Sequence, residues 1–272
     1  MKNAVEFFPN LNALLVANAS RELNRAFKDS GICSSYESAK QTEFTGTASY
    51  ADAERLCREG WFENLEDFKL ACSITTTQPR RRVVTAPTGY APHVPNAIMG
   101  RPDSMIKTIM LKEKSKTLEL VINSTVSHIY TTSDITKASA EIIKAVSVIE
   151  ANGIRAKLIL CPMSNCSDRK GTIGKGAQNA QCFITIKEPG ERINPARIYF
   201  PLVHPSMLRR IAFRWLETCP KVQSKKFIGK YGYPYRVNKS NLPQQLTAAK
   251  FINLMDVLKG DWDAKEILAR LK

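Results

Sequence analysis

The stretch "LVINSTVSHIYTTSD", Leu120 to Asp134, sets Asn123, Thr125 and Ser127 two residues apart and follows them with Thr131 and Asp134. Oxygen-bearing side chains in such a cluster suit a hard divalent cation. The leading group is the weak point. Asn123 offers a neutral carbonyl where a carboxylate would anchor the ion, so Thr125 and Ser127 would coordinate only feebly. The competing expectation is that these groups cap the following helix and bond loop amides. On that reading the site is degenerate and holds no metal.

A second set of residues is cationic. "KKFIGKYGYPYRVNK" places Phe227, Tyr231, Tyr233 and Tyr235 among Lys225, Lys226, Lys230, Arg236 and Lys239, with no acid. Single-strand binders need a cationic track for phosphates and flat rings on which bases stack. The alternative is a tethered surface loop whose tyrosines pack on the core. The loop "SDRKGTIGKG" adds Arg169, Lys170 and Lys175, whose charges and neighbouring amides suit phosphate. It lacks Walker spacing, so nucleotide hydrolysis has no support. In "LRRIAFRW", Arg210 and Arg214 lie four apart and share one helical stripe. They either face phosphate or pair with acids of the N-terminal region.

No catalytic constellation emerges. His93, His128 and His204 fall in separate segments, and His204, just before Pro205, reads as a cap or core contact. No Ser or Cys sits in a nucleophile elbow. The glycine-rich loops lack paired carboxylates, which argues against a metal nuclease. The seven cysteines show no CxxC, and three histidines are too few for a zinc cluster. Scattered thiols fit a reducing cytoplasm. The expectation is therefore a non-enzyme without a cofactor.

Charge names the partner class. The net charge is +15, from 40 basic and 25 acidic residues. Residues 1–70 hold 8 Lys/Arg against 11 Asp/Glu, whereas residues 190–239 hold 11 Lys/Arg against Glu191 and Glu217. Such a one-sided excess points to a polyanion. No apolar run reaches 18 residues, so no membrane span is expected, and "MKNAVEFFPN" lacks the pattern of a signal peptide.

The elements that must position these residues follow from periodicity. Residues 1–72 read as a helical region, with Ser49 as an N-cap and Gly60 as a stop. Residues 73–104 carry five prolines and two glycines and read as a crossing segment with little regular structure, with "RRRVV" as a candidate short edge strand. An α/β rhythm fills 105–218. "KTLELVIN", "IRAKLILCPMS", "AQCFITIKEP" and "RIYFPLVH" read as strands. "TSDITKASAEIIKAVSVIEANG" reads as a helix with Ile135, Ala138, Ile142, Ala145, Val146 and Ile149 on one face. "PSMLRRIAFRWLE" reads as another helix. Residues 219–272 combine the basic aromatic loop with one or two terminal helices. The fold class is α/β: a helical N-terminal region, a Rossmann-type sheet and a basic C-terminal extension.

"VINSTVS…T…SD" resembles the von Willebrand factor A module, whose first strand ends in Asp-x-Ser-x-Ser and whose Mg²⁺ site draws a Thr and an Asp from later loops. The resemblance implies that fold for residues 105–218, with Asn123 departing at the leading ligand. "FTGTASYADAERLCREGW", "VPNAIMGRPDSM" and "YFPLVHPSMLRRIAFRWLE" resemble a family of bacteriophage and prophage proteins described as a domain of unknown function. That likeness covers about residues 40–217 and implies phage origin. In size and charge the chain is also similar to the single-stranded-DNA-binding cofactor of the heterodimeric RNA polymerase that podophages use for middle genes. The expected function is nucleic-acid binding, preferably to single-stranded DNA. It would serve phage transcription, bringing an RNA polymerase to promoters, or replication, in the cytoplasm of the infected host. The partners expected are that DNA and a phage polymerase or replication protein. The alternative is a protein-interaction module for morphogenesis or host takeover.

Overall fold

The computed structural model describes residues 3–28, 45–74, 81–110, 116–166, 178–222, 227 and 234–271. Strand β5 (Thr117–Asn123) organises the molecule. Its β-branched and leucine run sends Leu120 and Ile122 to one face and Val121 to the other, all buried. Around it lie β1 (Ala4–Phe8), β6 (Arg155–Cys166), β7 (Asn179–Lys187) and β8 (Lys250–Asn253), in the order β1-β7-β6-β5-β8. β5 is parallel to β6 and β8, in register Leu120↔Leu158 and Leu120↔Lys250. β7 runs antiparallel to β6, and β1 runs parallel to β7. The C-terminal ends of β5, β6 and β8 therefore share one end of the sheet with the starts of β1 and β7.

The two faces are covered differently. One is packed by helices: α1 (Leu11–Ser20), then, past the short α2 (Arg25–Lys28), α3 (Tyr50–Glu59) and α4 (Leu65–Cys72). The periodic α6 (Thr132–Ala151) lies on the same face and buries the expected stripe, Ile135 to Ile149. Thr131 and Asp134 close its N-terminus as a reciprocal capping box, and Gly153 ends it at φ +83°. α9 (Leu254–Gly260) and α10 (Ala264–Leu271) complete this layer. The other face carries Val121, Ile159, Cys161 and Phe183. It is covered by Val237, Leu242, Leu246 and Ala249 of an irregular segment. Among the described residues no helix is long and apolar enough to cross a membrane.

Several expectations need correction. The N-terminal region is not all helical, because β1 joins the sheet edge. Trp61, just past α3, stacks on Tyr199 at 4.5 Å. "RIYFPLVH" is helix, not strand: α7 (Pro195–Val203) starts from the Asn194 cap, and its apolar residues are buried all round. The following segment is a π-helix, Met207–Ala212, running into α8 (Phe213–Thr218). The C-terminal region contributes β8 as well as helices. One core runs from Ala4 to Leu271, so 1–72 and 219–272 are not separate units. The crossing segment is more structured than expected, although "RRRVV" does enter an edge strand. β2 (Arg81–Ala86), β3 (Ala91–Pro92), α5 (Val94–Ile98) and β4 (Met105–Met110) form a three-stranded antiparallel wing, ordered β2-β4-β3.

Candidate nucleic-acid interface

The degenerate cation site lies at the C-terminal end of β5, where Asn123 and Thr125 are buried against protein. Asn123 is 2% exposed. Its Nδ2 donates to the Tyr235 carbonyl at 3.0 Å and to Asn253 Oδ1 at 2.9 Å, while its Oδ1 accepts the Thr125 amide at 3.1 Å. Asn253 brackets Val237, accepting its N–H at 2.8 Å and donating to its carbonyl at 3.0 Å. Thr125 Oγ1 accepts the Ser164 amide at 2.9 Å. The Ser127 amide donates to Met255 Sδ at 3.5 Å. Thr131 and Asp134 serve the α6 cap, and Thr131's two hydrogen bonds hold the Asp134 carboxyl below its ordinary range. Bonding within the protein thus engages Asn123 Oδ1, Thr125 Oγ1, Thr131 Oγ1 and the Asp134 carboxyl. Among the described residues no cluster of three His, Cys, Asp or Glu side chains is placed to hold a metal.

The same bonds anchor the basic aromatic segment. Phe227 is fully buried in the helix-side core, and Val237 is buried on the opposite face of the sheet. These two residues, on either side of 228–233, thus belong to the cores of opposite faces of the sheet. Its flanks are tied to neighbouring strands: Gln178, just before β7, donates to the Lys221 carbonyl at 2.7 Å, and the Tyr235 amide donates to the Ser164 carbonyl of β6 at 3.1 Å. The loop 167–177 runs between those same strand ends, Cys166 and Gln178. Both basic loops singled out in the sequence thus begin and end at one end of the sheet.

The individual residues fare unevenly. Lys225, Lys226, Lys230, Tyr231, Tyr233, Arg169, Lys170 and Lys175 lie outside the described residues. Tyr235 is half-buried, and Lys239 is exposed. Arg236 is exposed, but Asp256 meets its charge at 2.6 Å. Phe227 is a core residue and offers no face for stacking. Arg210 and Arg214 form no surface strip. Arg210, 1% exposed, donates to Thr45 Oγ1 at 3.3 Å and to the carbonyls of Thr47 and Ala48 at 3.0 and 3.3 Å. Arg214, 9% exposed, donates to the Arg21 carbonyl at 3.4 Å. A four-residue spacing defines a stripe but does not tell which way it faces, and this one faces inward. Arg209 is buried beside them, and burial pushes its guanidinium down to about 10.

Beside this end of β5 is a cavity of about 620 Å³, lined by Ser124, Val126, His128, Thr131, His204 and Arg209 among others. Among the described residues that line it there is no acid or thiol. His204 is a cap, as its position before Pro205 suggested. Its Nδ1 accepts the Ser206 amide at 3.2 Å, its ring packs on Trp61 and Phe200, and burial lowers its pKa to about 4. The described cysteines are free, and burial pushes the Cys57 and Cys72 thiols up to about 12. Such thiols stay protonated and unreactive at neutral pH.

Sequence reasoning missed Asn253 and Ser164, whose partners lie far off in the chain, and it missed the cations of the wing. The model of a family described as "Domain of unknown function (DUF7192)" matches residues 2–272, and the chain belongs to that family. No curated protein and no solved structure matches the chain.

Proposed function

We propose that this member of the DUF7192 family is a non-enzymatic nucleic-acid-binding protein that prefers single-stranded DNA. The shared anchorage of its two basic loops carries the reading. Residues 167–177 and 221–239 hold nine Lys/Arg and one acid, Asp168. Their described ends converge on Ser164, Gln178 and Asn123 at one end of the sheet. Open α/β sheets bind ligands beyond the C-terminal ends of strands where the strand order reverses. Here the chain moves from β5 out to β6 and β7, then returns to place β8 on the other side of β5.

The strand order also supports reading β5–β8 as a von Willebrand factor A-like module, with parallel neighbours on both sides of the first strand and an antiparallel strand beyond. It departs from that module in two respects. One face is covered by an irregular segment, and Asn123 works as a strap. The phage resemblance of the quoted motifs supports a place in phage transcription, recruiting an RNA polymerase to promoters, or in replication, within the infected host's cytoplasm. A protein-interaction module is the second reading, favoured by Val94, Ile98 and Met99, each more than half exposed on the wing.

The test is an electrophoretic shift series with single- and double-stranded oligonucleotides of one sequence. Tighter retention of the single strand supports the proposal. No shift of either at low salt turns the reading toward the protein module.

A further inference from the structure

The wing stands apart from the core: neither buried cluster contains a described side chain from 82–109. Its cations differ from several cations on the helices and the main sheet. Arg55, Arg58, Lys69, Lys144, Lys157 and Arg197 each lie within 4.0 Å of a carboxylate. Arg82, Arg101 and Lys107 are exposed and pair with no acid among the described residues. The wing's own carboxylate, Asp103, accepts the Thr85 hydroxyl at 3.1 Å.

The register groups the charges. Arg82 pairs with Ile109 and Val84 with Lys107 across the β2–β4 ladder. Directly opposed residues and those two apart share a face, so Arg82 and Lys107 are diagonal neighbours, roughly 7–8 Å apart at their roots. Tyr90, 68% exposed, is set beside Lys107 because its amide donates to the Ile106 carbonyl at 2.9 Å. That approach needs the preceding glycine: a Cβ on Gly89 would lie 2.1 Å from the same carbonyl oxygen. The backbone is thus built to hold an exposed aromatic ring next to Lys107 on an antiparallel ribbon. These are the two components of a single-strand platform.

We propose that the wing is a second nucleic-acid contact surface, in which Arg82 and Lys107 bind phosphates and Tyr90 stacks on a base. This rests on the nucleic-acid reading above and assigns it a surface separate from the basic loops. The test is fluorescence anisotropy of labelled oligo-dT with the full chain over a salt series. It compares the wild type with Arg82→Ala/Lys107→Ala, the charge-conserving Arg82→Lys/Lys107→Arg, and Tyr90→Ala. All these sites are exposed, and far-ultraviolet circular dichroism checks each fold. Each phosphate contact on a single strand contributes about 0.7 to the log–log salt slope, so the alanine pair should lower it by about 1.4. The charge-conserving pair should keep the wild-type slope. Tyr90→Ala should weaken binding about fivefold or more at unchanged slope. If the wild type binds and the alanine pair matches it in slope and affinity, the wing is not a contact and only this inference falls. If the wild type does not bind oligo-dT, the nucleic-acid reading itself fails.

Discussion

The side-chain amide of Asn123 donates at once to the Tyr235 carbonyl and to Asn253 Oδ1, at 3.0 and 2.9 Å. One residue at the end of the central strand thereby straps the C-terminal basic segment across the sheet. It also explains the amide, since a carboxylate there would offer no donor to either oxygen. Asn123→Asp should therefore destabilise the fold, by about 3 kcal/mol or more, because it buries a charge against two acceptors. Chemical denaturation measures the loss, and calorimetry with Mg²⁺ gives the companion result. Wild-type stability together with newly acquired micromolar Mg²⁺ binding would show that the geometry still suits an ion.

Arg210 should behave as a staple. It joins the π-helix to Thr45, Thr47 and Ala48 through one guanidinium nitrogen. Arg210→Ala leaves those acceptors and a cavity, so unfolding free energy should fall by about 2–4 kcal/mol. The salt slope of DNA binding, measured below the lowered melting temperature, should not change. A flatter slope at unchanged stability would restore Arg210 as a phosphate ligand.

His204 should give the protein a mildly acid-sensitive step. Its folded pKa, about 4, lies below the ordinary imidazole value of 6.5, because burial disfavours the charged ring. Between these values the unfolded chain binds the proton and the folded chain does not. Stability is therefore fully present above pH 6.5 and declines as pH falls toward 4, by about 3 kcal/mol in all. Urea titrations across that window should show the decline in the wild type. His204→Gln should be less stable at neutral pH yet nearly flat between pH 6.5 and 5. An equal decline in both proteins would assign the sensitivity to other groups.

What could be read from the sequence was what local pattern determines. β5, β6, β7 and α6 carry their period in their own residues, and the caps at Ser49 and Thr131 lie within four residues of what they bond. What escaped depends on distant partners. β8 is four residues inside an apparently helical stretch and is a strand because β5 lies alongside it. α7 was misread because a short apolar run buried on every side has no period to distinguish helix from strand. The wing's prolines and glycines suggested irregularity, whereas its order comes from pairing across some 25 residues. At the candidate site, the spacing of Asn123, Thr125 and Ser127 marked the right place. Asn253, 130 residues away, decides what Asn123 does there.

The salt dependence of single-stranded DNA binding by the full chain tests the central claim most directly. Two acid-poor basic loops anchored at one end of the sheet should neutralise at least four phosphates together. The log–log slope of affinity against salt should then be about −3 or steeper, and Lys225→Ala/Lys226→Ala should make it shallower by about 1.4 at unchanged melting temperature. A flat salt response, or no binding at low salt, would contradict the account.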